Sequence, residues 1–422
     1  MNLTPPLKSS FSALDHRLPD GGFIPLTLPS RAQDIAALAV LNDPDLMAAR
    51  AQRGVAQAGL LSAGLLPDPS ITGGFAAFIS GPGTVPAISG SLAEDASALI
   101  TYSVGREAAK AGLAQVDAGI LWQEWQVASQ AMQLCITLDG DAKTIGTLQA
   151  DHAALAGINA GTEGQVRMGN LTIAASSASM AALAAADTAL DTAIETRDQD
   201  RDQLDALLGL QPGILIPVAL PDVQPADPRA MDKEIASLPY RRPDLIALRY
   251  GYAQADAKLR AAILTQFLPV NIGGTGGRDT TDVWSAGPQV TLTLPLFNRN
   301  RGGIAIATAT RAQLAAQFEA SLASAEGGAR ALVSRIGELR RESSAADGQA
   351  VAAAAIALQA QQANANGSLD ALSAVNLQTA SADRQREAIA LNVRLLTARL
   401  SLDSLLGLGL PPMANSGLEA AP

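Results

Sequence analysis

The chain of 422 residues is 48% apolar but only 3% aromatic, so a core must be assembled mainly from Ala, Leu, Ile and Val, a composition suited to closely packed helices. Its 30 Lys and Arg against 40 Asp and Glu give a formal charge of −10, and no window gathers basic residues into a stripe that could neutralise phosphates, which argues against nucleic acid as a partner. Mean hydropathy is +0.16, yet no run of about 18 lipid-like residues occurs, which argues against a transmembrane helix.

Residues 1–31 read as an extended N-terminal segment. Met1 to Gly22 contains no basic-then-apolar stretch, no small-residue cleavage site and no early Cys for a lipid, so the expectation is a sequence without an export signal. A first structural repeat is expected over 32–210. Within it Ile71, Gly73, Phe75, Ala77 and Ile79 recur at the period of two that a strand with unlike faces requires, which predicts a strand at about 70–80. Ala98, Ile100, Tyr102 and Val104 predict a second at about 96–104, with a Gly/Pro/Ser-rich connection at about 80–95.

From 105 to 167 there is no proline, and the stripe Trp122, Trp125, Ser129, Met132, Ile136 has steps of three and four, the mark of coiled-coil packing. Roughly 60 helical residues span about 90 Å, too long for a compact domain. Cys135 sits in this pattern as a buried, inert thiol, and the two Trp as packing residues. At Gly169-Asn170 the helix is expected to end, with glycine at positive φ and Asn accepting a free N–H of the helix that returns for about 38 residues.

A Pro-rich linker at 211–228 (Pro212, Pro217, Pro221, Pro225, Pro228) leads to a second repeat over 229–408. There Leu245, Leu248, Tyr252, Leu259, Ile263 and Phe267 mark a helix of about 25 residues ending at Pro269. Strands follow at about 269–277 and 286–297, the latter with Val290, Leu292, Leu294 and Leu296 on one face and Thr291 and Thr293 on the other. A Gly-rich connection is expected at about 273–287, and Gly273-Gly274-Thr275-Gly276-Gly277 reads as a flexible loop rather than a phosphate cradle, since no Lys-Ser/Thr follows. A proline-free stretch from 302 to 366, a turn at Gly367-Ser368 where Ser is expected to accept a free N–H of the next helix, a return carrying Ile389, Val393, Leu396 and Leu400, and a flexible tail at 409–422 complete the chain.

The two halves are copies. Pro44-Asp45-Leu46 recurs as Pro243-Asp244-Leu245, Gly169-Asn170-Leu171 as Gly367-Ser368-Leu369, and Leu207-Leu208-Gly209-Leu210 as Leu405-Leu406-Gly407-Leu408, in the same order and at nearly constant offset. The fold class is therefore mainly α with a β part, built from an internally duplicated helix-strand-strand-helix-hairpin unit. Four strands of membrane-crossing length cannot close a barrel alone, and an open edge in lipid leaves backbone groups unpaired. A soluble sheet packed under helices, in a coiled-coil scaffold or adaptor without channel activity, accounts for the same alternation.

Gly64-Leu65-Leu66-Pro67-Asp68-Pro69-Ser70, Arg242-Pro243-Asp244-Leu245 and Leu294-Pro295-Leu296-Phe297-Asn298-Arg299-Asn300-Arg301-Gly302, together with the duplication, resemble the TolC family of outer-membrane efflux proteins over about residues 32–408. The resemblance implies a homotrimer forming a 12-stranded β-barrel continued by a long α-helical periplasmic tunnel. It places the chain in the bacterial outer membrane with most of its mass in the periplasm. There it conducts substrates passively in a tripartite pump for heavy metals or drugs, in contact with outer-membrane lipid, a periplasmic adaptor and an inner-membrane pump.

By the same resemblance the hairpin tips Gly169, Asn170, Leu171, Thr172 and Gly367, Ser368, Leu369, Asp370 dock the adaptor, and Asp370, Ser373 and Asn376 are candidates for the tunnel constriction. Many relatives carry acidic residues where Ser373 and Asn376 stand, so a strongly cation-binding constriction is not expected. Val290, Leu292, Leu294 and Leu296 are the candidate lipid-facing set. No cofactor, metal or catalytic residue is expected. The two histidines, His16 and His152, are far apart in sequence, the seven methionines are scattered, and no Gly-x-Ser-x-Gly, His-Glu-x-x-His or Walker run occurs.

Overall fold

The computed structural model describes residues 7–17, 24, 30–77, 79, 85–219, 231–267, 270–292 and 297–408. In chain order the elements are β1 (Ser30–Arg31), α1 (Ala32–Asn42), α2 (Pro44–Ala63), β2 (Ser70–Ala76), β3 (Ala87–Asp95), α3 (Ala96–Arg167), α4 (Ile173–Leu207), β4 (Val218–Ala219), α5 (Met231–Ala236), α6 (Leu238–Arg241), α7 (Pro243–Leu264), β5 (Val270–Arg278), β6 (Trp284–Leu292), α8 (Arg301–Ala365) and α9 (Ala371–Leu406). The repeated Pro-Asp-Leu string opens α2 and α7, where proline fits the first helical position because its missing N–H has no helical partner to lose.

The chain divides into two units. One comprises residues 1–48, 122–241 and 324–422, the other residues 49–121 and 242–323. The first unit has a core of Ile35, Leu38, Leu134, Cys135, Leu204, Leu208 and Leu210, which also takes in Leu14 and Ile24. The N-terminal residues read as merely extended are thus partly core. Asn42 fixes them, its amide donating to Asp15 O and Leu38 O at 2.8 Å each while its carbonyl accepts from the Asp15 N–H and the Lys8 ammonium. The first residues of the Pro-rich linker are held too, since Ile214, Ile216 and Val218 pack on this core and β4 pairs in parallel with β1. Residues 220–228 of that linker and the tail at 409–422 lie outside the described residues.

Trp125 is a packing residue, as its place in the stripe implies. Its indole donates to Ser404 O at 3.1 Å, joining α3 to α9. Cys135 is fully buried, and burial pushes its thiol up to about 12, so it carries almost no thiolate at neutral pH.

The second unit holds one four-stranded antiparallel sheet in the order β2-β3-β5-β6. Two expectations fail here. The second strand is Ala87–Asp95, whereas 96–104 is the first part of α3, where Tyr102 donates to Gly64 O at 2.9 Å. Ala98, Ile100, Tyr102 and Val104 alternate by coincidence within a helix. Likewise, the strand expected at about 269–277 is β5, so it is the loop reading of Gly273–Gly277 and the connection placed at 273–287 that fail: the run lies within β5 and the connection is the short turn 279–283. Leu294 and Leu296 lie outside the described residues.

Candidate functional site

Register sorts every strand residue onto one of two faces. Ile71 pairs with Leu92, Phe75 with Ile88, Ile272 with Val290 and Val270 with Leu292, and through Gly274 and Arg278 the same face continues from β3 to Pro288 and Trp284 on β6. Directly opposed residues in an antiparallel ladder point the same way. One face therefore carries Ile71, Phe75, Ile88, Leu92, Val270, Ile272, Trp284, Val290 and Leu292, with Glu94 near one end and Arg278 at the other. The opposite face carries Ser70, Thr72, Ser89, Ser91, Asn271, Thr275, Ser285, Gln289 and Thr291 with four glycines and three alanines.

The apolar face is bare. Ile71 is 80% exposed, Phe75 71%, Trp284 70% and Val290 60%. On the other face the hydroxyls bond within the sheet, Thr72 Oγ1 to Ser91 Oγ at 2.5 Å and Thr275 Oγ1 to Gly90 O at 3.3 Å.

The glycines of β5 explain why a run that looks like a loop is a strand. On the hydroxyl face a Cβ at Gly273 would lie 2.0 Å from Leu92 O, and one at Gly277 would lie 2.4 Å from Ile88 O. The β3 backbone thus stands close over this face of β5, as in a sheet curled toward it, and only glycine fits there. The hydroxyl face is therefore concave and the apolar face convex. Both outer strands, β2 and β6, have one unpaired edge among the described residues.

Helices of this unit repeat the strand order. Arg53 of α2 bonds Asp117 of α3 at 2.7 Å, Arg260 of α7 bonds Glu107 of α3 at 2.6 Å, and Arg311 of α8 bonds Asp256 of α7 at 2.8 Å. The side-by-side series is α2-α3-α7-α8, so the same members of each layer stand at the edges. There Val55 and Leu61 of α2 and Ile306 of α8 are exposed.

The two hairpin ends lie in the first unit. Gly169 and Gly367 have φ of 77° and 73°, as their place between two helices predicts. Each closes its helix in the same way. Gly169 N–H donates to Val166 O and Asn170 N–H to Gln165 O, while Gly367 N–H donates to Asn364 O and Ser368 N–H to Ala363 O. That pair of bonds is the Schellman arrangement. The expectation that Asn170 and Ser368 cap the following helices is corrected. Asn170 Nδ2 donates to Gln165 Oε1 and Ser368 Oγ to Ala363 O, both backward, and the residues at the N-caps are Thr172 and Asp370.

Asp370 Oδ1 accepts from Ser373 N–H at 2.9 Å and Oδ2 from Ser373 Oγ at 2.7 Å, bonds that hold its carboxyl below the usual carboxylate range. Thr172 makes no side-chain cap bond. Asn170, Leu171, Gly367, Ser368, Leu369 and Asp370 come together around one open groove of 1230 Å³. Of the remaining constriction candidates, Ser373 is half-buried and Asn376 exposed. Among the described residues, no group of His, Cys, Asp or Glu is placed to hold a metal ion, and no helix is long and apolar enough to cross a membrane.

Sequence reasoning missed Ile88 and Leu92 of β3. The available signal was the hydroxyl period, Ser89 and Ser91 alternating with Ile88, Gly90 and Leu92.

No family model matches the chain, and no curated relative does. Solved structures do. The outer-membrane channel CmeC of Campylobacter jejuni is similar with a TM-score of 0.78 and 14% identity, over 91% of this chain and 87% of that one. The outer-membrane channel OprN matches with a TM-score of 0.75 and 16% identity, over 89% of each chain. The outer membrane protein VceC of Vibrio cholerae matches with a TM-score of 0.74 and 17% identity, over 89% of this chain and 96% of that one. At these identities the likeness establishes the fold.

Proposed function

We propose, from the TolC-family fold that this chain has, that it is one protomer of a trimeric outer-membrane efflux channel. The channel passes substrates delivered by an inner-membrane pump and a periplasmic adaptor, with no catalytic chemistry of its own. The observation that carries the reading is the sheet: one convex face of bare apolar side chains, one concave face of hydroxyls and glycines, and, among the described residues, two open edges. A soluble protein does not leave such a face uncovered, whereas a barrel wall in lipid requires it.

Dimensions agree. Nine-residue strands such as β5 and β6 extend about 30 Å, and a tilt of about 40° brings this to about 23 Å, close to the apolar band of outer-membrane barrels. Phe75 and Trp284 stand at the turn end of the sheet, and Phe267 and Phe297 follow the chain at its helix end, the places of interfacial aromatic girdles.

Closure comes from copies. Two copies would give eight strands, whose interior side chains fill, while three give twelve and leave a bore. Because α2 and α8 are edges as β2 and β6 are, one rotation closes both layers, and Val55, Leu61 and Ile306 become contacts between protomers. In this reading the unit with the hairpin ends lies in the periplasm, where the paired tips and their groove receive the adaptor's helical hairpins, and Asp370, Ser373 and Asn376 line the narrow end.

Crosslinking of the detergent-extracted protein, run beside cell fractionation, tests the reading. The expected result is an outer-membrane species that stops at three. A stable monomer with full strand content, or a soluble cytoplasmic scaffold, would falsify it.

A further inference from the structure

We propose that Glu94 holds a phospholipid by its headgroup, the carboxylate pairing with a primary ammonium where the apolar face of the sheet meets the helices. The inference rests on the channel reading above and names a lipid class for its outer wall.

Among the described residues the convex apolar face carries two charges, and the chain answers one of them. Arg278 donates to Asp282 Oδ1 at 3.4 Å and to Pro86 O at 3.3 Å. Glu94 pairs in the ladder with Ile272, and Ile272 with Val290, both exposed, so its side chain shares their face. Its carboxylate has no hydrogen bond or ion pair within the chain. Asp95, the next residue, pairs with Asn271 and lies on the hydroxyl face instead.

Apolar surface continues past Glu94 rather than stopping there. The bond from Tyr102 to Gly64 O sets Leu65 and Leu66 beside the first turns of α3, and these two, with Leu99 and Ile100 of α3, are exposed. Glu94, half-buried, thus has apolar side chains on the sheet before it and at the start of the helices after it. A carboxylate in such a surface is costly unless a cation meets it. The cation comes from the medium, because β3 is an inner strand and copies would join at β2 and β6. In the channel reading this end of the sheet lies at the periplasmic leaflet, where a headgroup ammonium supplies both the charge and three N–H donors. A choline headgroup has the charge without the donors, and a headgroup of net negative charge is repelled.

The experiment is native mass spectrometry of the purified full-length trimer in detergent, titrated with phosphatidylethanolamine, phosphatidylcholine or phosphatidylglycerol of the same acyl chains. The unaltered protein should retain the ethanolamine lipid about threefold better than the choline lipid, and the glycerol lipid least. Free ethanolamine at the same concentration, which lacks the chains that lie on the apolar face, should not displace it. Glu94→Gln keeps the shape and the backbone ladder and should abolish the ethanolamine preference, while Glu94→Lys should turn the order in favour of the glycerol lipid. Asp95→Asn, the same loss of charge on the hydroxyl face, should leave the order unchanged. An ethanolamine preference that persists in Glu94→Gln, or its absence from the unaltered trimer, overturns the assignment of Glu94 alone. An unaltered protein that is soluble without detergent and retains none of the three lipids overturns the channel reading and this inference with it.

Discussion

The core of the first unit and the sheet of the second spend the same kind of residue in opposite ways. Ile35, Leu38, Leu204 and Leu208 are buried from every side by helices and by the N-terminal segment. Ile71, Phe75, Val290 and Leu292 are equally apolar and equally regular, yet their side chains are exposed. The difference teaches that the pattern of a strand states only that its faces are unlike. What the apolar face meets is set by the solvent and by neighbouring copies.

The largest expected effect breaks the convex face. Leu292→Arg should cost about 2–4 kcal/mol if the residue lies near the bilayer midplane, and Thr291→Arg, on the concave face, much less. Trimer yield from outer membranes measures both. Equal yields would mean that the convex face does not meet lipid, and the contrast between sheet and core would lose its physical cause.

The bend gives the next effect. Gly273→Ala would drive a Cβ into the Leu92 carbonyl and should cost about 1–3 kcal/mol, while Gly73→Ala on the convex face, where a Cβ meets nothing within 4 Å, should be tolerated. The temperature at which the detergent-extracted trimer dissociates separates the two. If the two variants behave alike, the concave side has been assigned wrongly.

Smaller effects belong to the hairpin ends. Gly367→Val places a β-branched residue at φ of 73° and should strain the turn by about 1–2 kcal/mol. That leaves the trimer assembled and, on the docking reading, abolishes export, with Ala352→Val on the shaft of α8 as control. Export that survives in the assembled variant would remove the docking role.

The smallest change is local. Because its bonds to Ser373 hold Asp370 below the usual carboxylate range, its capping contribution is complete above that range and fades as pH falls through the lowered value. Asp370→Ala should therefore speed exchange of the Ser373 amide at pH 7 and make no difference once the carboxyl is protonated. A difference that persists in strong acid would show that the cap does not depend on the charge.

Local rules made much of this legible from residues alone. Duplication, the long proline-free helices and the positive φ of Gly169 and Gly367 all follow from chain order and backbone sterics, which act over a few residues. The adjacent caps were misjudged because Asn170 and Ser368 can bond either way, and the Schellman bonds of the preceding turn decide that they face backward.

Tertiary structure alone decided the rest. β3 is a strand because β2 and β5 flank it, while the alternating residues just after it belong to α3, and periodicity over so few residues cannot tell the two apart. The glycine run of β5 reads as a loop by propensity and becomes a strand because a bent sheet needs glycine on its inner side. The sidedness of Asp95 depends on its pairing with Asn271, a residue far away in sequence. Register joins distant segments, and a one-residue slip would turn every side chain to the other face, so no local pattern could have placed that charge on the hydroxyl face rather than the apolar one.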